Sequence, residues 1–394
     1  MDPRKNPYSP GAGTPPPALA GRDELLEEAA IALDRIRSRL AAKSLMIVGL
    51  RGTGKTVLLN RIANDAEARG FTTLFLEAPE NLSLPGLLAP ALRTALLRMS
   101  RSQAAADAAK RALRALSGFV RSMKVTYADI ALELDLGSEP GLADSGDLQH
   151  DLSELLQSCG QAARACDTTL TLAIDELQYV ENDQLGALIA ALHRSAQLQL
   201  PVTLVGAGLP QLTALTGRAK SYAERLFRFV EIGQLDEAAA AVAIEEPADR
   251  LGVSYTADAV GAVLRRTQSY PYFLQEWGKH CWDCAEDSPI DVGDVELATA
   301  TATAELDASF FRVRYDRLTP KEKLYLKAMA ELGPGPHRSG KVAEALERPV
   351  QSAAPIRSNL IAKGMIYSPA HGDTAFTVPM FDEYLRRVMP DAVE

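Results

Sequence analysis

Eight consecutive residues constrain this chain more than any other feature. Gly49-Leu50-Arg51-Gly52-Thr53-Gly54-Lys55-Thr56 fits G-x-x-x-x-G-K-[ST] at every fixed position. The segment lies where its chemistry requires, between a strand-like apolar run at Ser44–Val48 and a helical pattern over 56–68. Glycines permit positive φ, so backbone N–H groups can turn onto phosphate oxygens. A helix starting at Thr56 adds roughly half a positive charge at its N-terminus. Lys55 is placed for the β- and γ-phosphates and the Thr56 hydroxyl for Mg²⁺. The phosphate-cradle set is Gly49 to Thr56 together with Val57. A glycine-rich turn with an incidental lysine is the weaker alternative, because all the constrained positions and both flanks agree.

Around this loop the apolar spacing alternates between strand and helix. Residues 21–40 are helically spaced (Leu25, Leu26, Ala29, Ile31, Leu33, Ile36, Leu40) and precede the first strand; a second strand, Thr72–Glu77, follows the loop helix. Two Ala/Arg-rich helices over 87–122 come next, and 124–136 alternates well enough for a short antiparallel excursion. Helices at 147–166, 182–197 and 219–228 lead into strands at 169–174, 202–205 and 229–232. Five strands with helical crossovers predict an α/β fold, a P-loop parallel five-stranded sheet with flanking helices, over 21–234. Beyond Gln234 the strand pattern stops. Helices at 236–249, 256–267, 271–285 and 293–316 predict an all-α lid over 235–309. The first twenty residues hold six prolines and read as an extended arm.

The strand at 169–174 ends in Asp175-Glu176. At the carboxyl edge of a strand adjacent to the phosphate loop, such a carboxylate can hold Mg²⁺ directly or through water. Metal binding is thus expected from Thr56 and Asp175. The neighbouring Glu176 can polarise an attacking water, which needs a base within hydrogen-bond reach. Asp175 alone would suit a nucleotide kinase or a GTPase; the doublet points to hydrolysis. A solvated acidic loop is the alternative.

Composition adds less than charge placement does. The 394 residues carry a net charge of −9, which superficially argues against nucleic acid. Yet residues 93–124 carry a net of +7, 125–183 a net of −12, and 310–394 a net of +3. The basic helices can follow a phosphate backbone or face the acidic block. No run approaches eighteen apolar residues, so no membrane partner is expected. Four cysteines and a proline-rich start without an apolar core imply a reducing, cytoplasmic setting. Cys281-Trp282-Asp283-Cys284 after His280 has no second ligand pair and reads as core packing.

Residues 310–394 open with Thr319-Pro320-Lys321-Glu322, a capping box with proline at N1. Helices over 320–332, 341–346 and 352–363 follow, then a hairpin around His371-Gly372-Asp373 and a terminal helix. That order predicts a winged-helix domain over 310–394. Its second turn helix would offer Ser352, Arg357, Ser358 and Lys363 to duplex DNA, with His371 on the wing. A winged helix used for protein contacts is the alternative.

With 49–56 as Walker A and Asp175-Glu176 as Walker B, the chain resembles an AAA+ P-loop ATPase. The pattern is similar to the origin-recognition/initiator-like and archaeal-type STAND group. Gly21-Arg22 resembles the family's Gly-Arg box, which implies that these residues border the adenine. Asp175-Glu176-Leu177-Gln178-Tyr179 is similar to the group's extended Walker B. Tyr222 to Arg228 lies where the family carries its arginine finger, which implies Arg225 or Arg228 acting on a neighbour's nucleotide in a homo-oligomer. The resemblance implies ATP with Mg²⁺, Lys55 and Glu176 as catalytic groups, and ATP or ADP as the bound partner. Two positions depart from it. The fourth strand offers only Thr203 where sensor 1 stands, and the sensor-2 helix begins Ser269-Tyr270-Pro271, similar to the STAND Gly-x-Pro motif. Pro271 is then expected at the adenine or ribose, and hydrolysis is expected to be slow. The implied function is an ATPase switch coupling Mg-ATP to conformation or assembly. The alternatives are an ATP-gated DNA-binding regulator and an interaction scaffold with little turnover.

Overall fold

The computed structural model describes residues 1–11, 13–79, 83–125 and 139–389. The antiparallel excursion expected over 124–136 therefore lies almost wholly outside the described residues.

After the arm, α1 (Asp23–Arg37) leads to β1 (Ser44–Val48), α2 (Lys55–Ala68) and β2 (Thr72–Glu77). Three helices follow, α3 (Leu84–Met99), α4 (Ala106–Ser122) and α5 (Leu148–Ala165), before β3 (Leu170–Asp175). Then come α6 (Asn182–Gln197), β4 (Val202–Gly208), α7 (Gln211–Ala219), α8 (Ala223–Leu226) and β5 (Phe227–Glu231). All four strand pairings are parallel, in the order β2-β3-β4-β1-β5. β1, β3 and β4 are buried along their whole length, which explains why they read as unbroken apolar runs rather than as alternation. One apolar layer joins one face of the sheet to α3, α4, α5 and α6; the other joins it to α1 and α2. One expectation fails in detail. The helix expected at 219–228 shrinks to the short α8, α7 precedes it without having been expected, and β5 begins at Phe227 rather than 229.

The rest is helical, apart from a small sheet. It comprises α9 (Glu237–Asp249), α10 (Ala257–Thr267), α11 (Pro271–Cys284) and α12 (Val292–Leu306). A π-turn over Asp307–Phe311 carries α12 into α13 (Arg312–Asp316). The last part holds α14 (Pro320–Glu331), β6 (His337–Arg338), α15 (Ser339–Ala345), α16 (Val350–Ala362), β7 (Ile366–Tyr367), β8 (Asp373–Phe376) and α17 (Phe381–Val388). The α14 capping box forms with both reciprocal hydrogen bonds. Its three-stranded antiparallel sheet runs β6-β8-β7.

The arm, which starts with a short 3-10 turn at Pro3–Lys5, is held against the lid. Tyr8 is buried in the lid, with its ring where a Cβ on Gly278 would stand (2.5 Å from Cδ1) and its hydroxyl donating to the Ile244 carbonyl. Trp282 Nε1 donates to the Asp2 carbonyl at 3.0 Å. In the acidic block, Arg114 of α4 lies 3.7 Å from Glu139, so the basic and acidic segments do meet within the chain. Cys159 and Cys281 are buried, and burial pushes each thiol up to about 12, which makes them inert packing groups. No described helix is long and apolar enough to cross a membrane.

Candidate nucleotide site

The chain turns immediately after β1. A Cβ on Gly49 would overlap the Ile232 carbonyl oxygen, so only glycine fits. Gly52 and Gly54 take φ of +79° and +86°, and Gly54 caps α2. Lys55 is buried, and its Nζ donates to the Leu50 carbonyl at 2.7 Å; the Thr53 hydroxyl donates to the same oxygen at 2.9 Å. Burial pushes the Lys55 ammonium down to about 8, although Glu176 and Asp175 pull it upward.

Asp175 closes β3, buried, with its pKa raised above the usual carboxylate range by burial. Thr56 Oγ1 donates to Asp175 Oδ2 at 2.5 Å, and Asp175 Oδ1 accepts the Glu176 N–H at 2.8 Å. The expected metal pair is thus assembled, but not from neighbouring strands. β4 stands between β3 and β1 in the sheet. The α2 N-terminus extends past the strand ends and so bridges the gap.

Glu176 adopts φ +53°, a left-handed conformation uncommon outside glycine and concentrated at functional sites. Arg51 Nη1 lies 3.6 Å from its Oε1, and Gln178 Nε2 donates to its Oε2. Gln178 Oε1 in turn accepts the Leu209 N–H at 3.0 Å, tying Glu176 to the end of β4. Thr203 plays no part here: its hydroxyl bonds the Ser44 hydroxyl at 3.1 Å, at the start of the strand.

These groups open onto a cleft of about 420 Å³, within the usual range for a small-molecule site. Arg51 to Val57 line it, with Asp175, Glu176, Arg22 and Pro271, whereas Gly49 and Leu50 of the expected cradle do not. Gly21 takes φ +66°, and Arg22 Nη2 donates to the Gly233 carbonyl at 2.8 Å, which turns the guanidinium along the cleft wall. Pro271 opens α11, and the Tyr272 N–H donates to the Gly52 carbonyl at 3.0 Å, joining lid to phosphate loop.

Four contributors lacked a sequence signal. Arm residues, among them Ser9, Gly11, Gly13, Thr14 and Ala20, line the cleft, and a Cβ on Gly13 would come 3.1 Å from Thr56 Cγ2. Tyr272 and Phe310 stack at 4.8 Å between ring centroids, and the Arg314 guanidinium lies 4.0 Å from the Phe310 ring. Burial pushes Arg314 down to about 10, and Arg51 adds repulsion. Arg314 thus lines the cleft as a partly buried cation beside Arg51, with its Nη1 donating to the Phe310 carbonyl. The π-turn shifts the helical register just before it, and such turns recur at functional sites. Gln178 could have been suspected from the extended Walker B pattern; the arm, Tyr272 and Arg314 could not.

Other expected residues lie elsewhere. Arg225 is exposed on α8, and Arg228 pairs with Glu28 at 2.9 Å; neither lines the cleft of its own chain. Ser352, Ser358 and His371 are exposed. Arg357 and Lys363 differ from the expectation of outward contacts. Arg357 reaches Thr374 Oγ1 (2.8 Å), Ser368 Oγ (2.9 Å) and the Asp373 carbonyl (2.8 Å), and Lys363 binds Glu322 at 2.7 Å. Both fasten α16 to its own module. That module also touches the phosphate loop, since the Arg51 N–H donates to the Thr377 carbonyl at 2.9 Å. Arg51 Nη2 donates to the Tyr179 hydroxyl at 2.8 Å beside it.

Sheet, phosphate loop and acidic pair together have the layout of a P-loop nucleotide-binding domain. Comparison with known families agrees: residues 18–205 match the AAA ATPase domain, so the chain carries that domain. Residues 308–385 match a family described only as a domain of unknown function. A sequence comparison with curated proteins gives no match. Among solved structures, a Walker-type ATPase of Pyrococcus abyssi is similar over 93% of this chain and 96% of its own, at 14% identity and a TM-score of 0.57. The RuvB Holliday junction branch migration motor of Thermotoga maritima aligns over 95% and 99% at 15% identity and a TM-score of 0.46. The ORC1 protein of Aeropyrum pernix, solved in complex with DNA, aligns over 94% of each chain at 15% identity and 0.45.

Proposed function

We propose that the chain binds Mg-ATP in the cleft, hydrolyses it slowly, and uses the nucleotide state to set how its C-terminal module sits on the phosphate loop. The hydrogen bond from the Arg51 N–H to the Thr377 carbonyl carries this reading, because it joins the loop that would bind phosphate directly to the distal module. Thr56 and Asp175 offer a hydroxyl and a carboxylate, hard oxygen donors suited to Mg²⁺. The ion would supply charge neutralisation between the β- and γ-phosphate oxygens. Lys55 and Arg314 add cationic charge at the same end, and Arg314 takes the task that the absent sensor-2 arginine leaves open. Glu176 is the general base, oriented by Gln178. The order α14–β6–α15–α16–β7–β8 supports a winged helix, and the internal engagement of Arg357 and Lys363 favours protein over DNA as its partner. Arg225, exposed and outside its own cleft, is available to a neighbour's nucleotide in a homo-oligomer.

The test is ATP binding and turnover, with and without duplex DNA, beside mass by light scattering. Lys55→Ala should lose ATP binding. Glu176→Gln should retain ATP while turnover falls by about 10²–10⁴-fold. Wild-type hydrolysis by Glu176→Gln would remove Glu176 from the role of base, and a large stimulation by DNA would restore the nucleic-acid reading.

A further inference from the structure

Away from the nucleotide cleft, the lid brings together three side chains of metal-ligating type. Glu276 and His280 stand one turn apart on α11, and Glu305 approaches from α12 packed beside it; their ligand atoms all lie within 4.8 Å of one another. Glu276 and His280 are 6% and 3% exposed; Glu276 Oε2 has no hydrogen-bond partner, and His280 Nε2 makes no well-aligned hydrogen bond, its nearest carboxylate contact being Glu305 Oε2. Buried polar atoms are almost always paired, so an orphaned carboxylate oxygen turned toward an imidazole nitrogen calls for a cause. Glu276 Oε1 accepts the Tyr272 hydroxyl at 2.8 Å, which fixes the carboxylate and leaves Oε2 turned toward the imidazole.

The spacing fits a shared cation better than it fits a direct contact. Nε2 of His280 is 3.9 Å from Glu276 Oε2 and 3.2 Å from Glu305 Oε2. Two ligands at the usual zinc distances of 2.0–2.2 Å in a tetrahedral shell stand about 3.4 Å apart, between those two values. Glu305 is half exposed and provides an entry side where water can complete the shell. Lys279 Nζ, 3.3 Å from Glu305 Oε2, is the cation an incoming metal would displace. The nearby Cys281 is packed into the lid core, so the ligand set is one histidine and two carboxylates. That mixture suits zinc or a neighbouring divalent transition metal rather than Mg²⁺.

We propose that Glu276, His280 and Glu305 form a binding site for a divalent transition metal of the zinc class within the lid. It needs no nucleotide, so it stands independently of the functional reading above. Tyr272 completes it as the outer partner of Glu276, and its own N–H bonds the phosphate loop at Gly52.

The full chain, stripped with chelator and free of nucleotide, is titrated with Zn²⁺ by calorimetry, and metal is counted after desalting. Cobalt substitution reports coordination through its visible absorption. One equivalent is expected, undisturbed by millimolar Mg²⁺ and preserved in Lys55→Ala. Glu305→Gln and His280→Ala should weaken zinc by more than the roughly 10–100-fold that loss of an outer hydrogen-bond partner costs a metal site. Both should retain ATP binding, which distinguishes failure here from failure of the nucleotide reading. Glu305 is exposed enough for Glu305→Gln to fold even if His280→Ala does not. Absence of stoichiometric zinc in the wild type, or unchanged zinc affinity in a folded Glu305→Gln, overturns the proposal.

Discussion

At the scale of single residues, the nucleotide site depends on a buried lysine whose charge is not secure. Lys55 sits at about 8 because burial disfavours its ammonium, and a triphosphate at the cleft would raise that value. Linkage then fixes the sign. Below about pH 8 both the free and the bound protein hold the proton, so ATP affinity is flat. Above it, only the complex does, and affinity should fall toward tenfold per pH unit until the bound-state pKa is passed. Titration with a fluorescent ATP analogue between about pH 6.5 and 9.5 measures this, and a flat profile would place the titrating group elsewhere. Arg314 makes a second test. If it meets the γ-phosphate, Arg314→Ala should weaken ATP by about 1.5–3 kcal/mol and ADP far less, as for a hydrogen bond to a charged group. Lys55 was legible in the sequence because its whole environment is contiguous: glycines before it, a hydroxyl after it. Arg314 was not, because the phosphate-loop residue it lies beside, Arg51, is more than 250 residues earlier in the chain.

At the scale of elements, legibility followed burial and length. β1 and β2 match their expected bounds, and α6 matches 182–197, since long periodic or wholly apolar runs leave little choice. α7 escaped because Gln211–Ala219 is short and contains two threonines and a glycine, weak helix formers that only tertiary contacts hold in place. β6 is two residues, defined by pairing to β8 far along the chain, and no local pattern announces it. β4 shows why a glycine can belong in a buried strand. A Cβ on Gly206 would overlap Leu177 Cδ1 and lie 2.6 Å from Met46 Sδ. Leu177 follows Glu176 directly, so the strand's missing side chain makes room for the turn that carries Glu176. Gly206→Ala should therefore overpack the core by about 1–3 kcal/mol, read as a lower midpoint in thermal or urea unfolding. It should also slow turnover by displacing Glu176; full activity in a destabilised protein would separate the turn from the strand.

At the scale of the molecule, the boundary at residues 309 and 310 is a change of pattern without a gap in packing. The lid and the C-terminal module share one apolar core, in which Trp277, Leu306, Phe311, Leu318, Tyr325 and Phe381 are all buried, and Tyr8 of the arm joins it. Phe311 packs against Phe273 of the lid at 6.4 Å and against Tyr384 of α17 at 5.3 Å between ring centroids. Sequence periodicity could not reveal this, because it reports which face of a helix is apolar and not which partner covers it. A shared core has a mechanical consequence: lid and C-terminal module should move together against the nucleotide domain, with the Arg51–Thr377 contact as the joint that opens. Both tryptophans of the chain, Trp277 and Trp282, lie in the lid, so their fluorescence reports it alone. Hydrogen exchange reports α14 to α17 separately. In urea, the two signals should fall in one transition, since Phe311 and Tyr325 cannot be exposed on one side and stay buried on the other. A C-terminal module that opens at lower urea while tryptophan emission stays native would show two cores and remove the basis for joint movement.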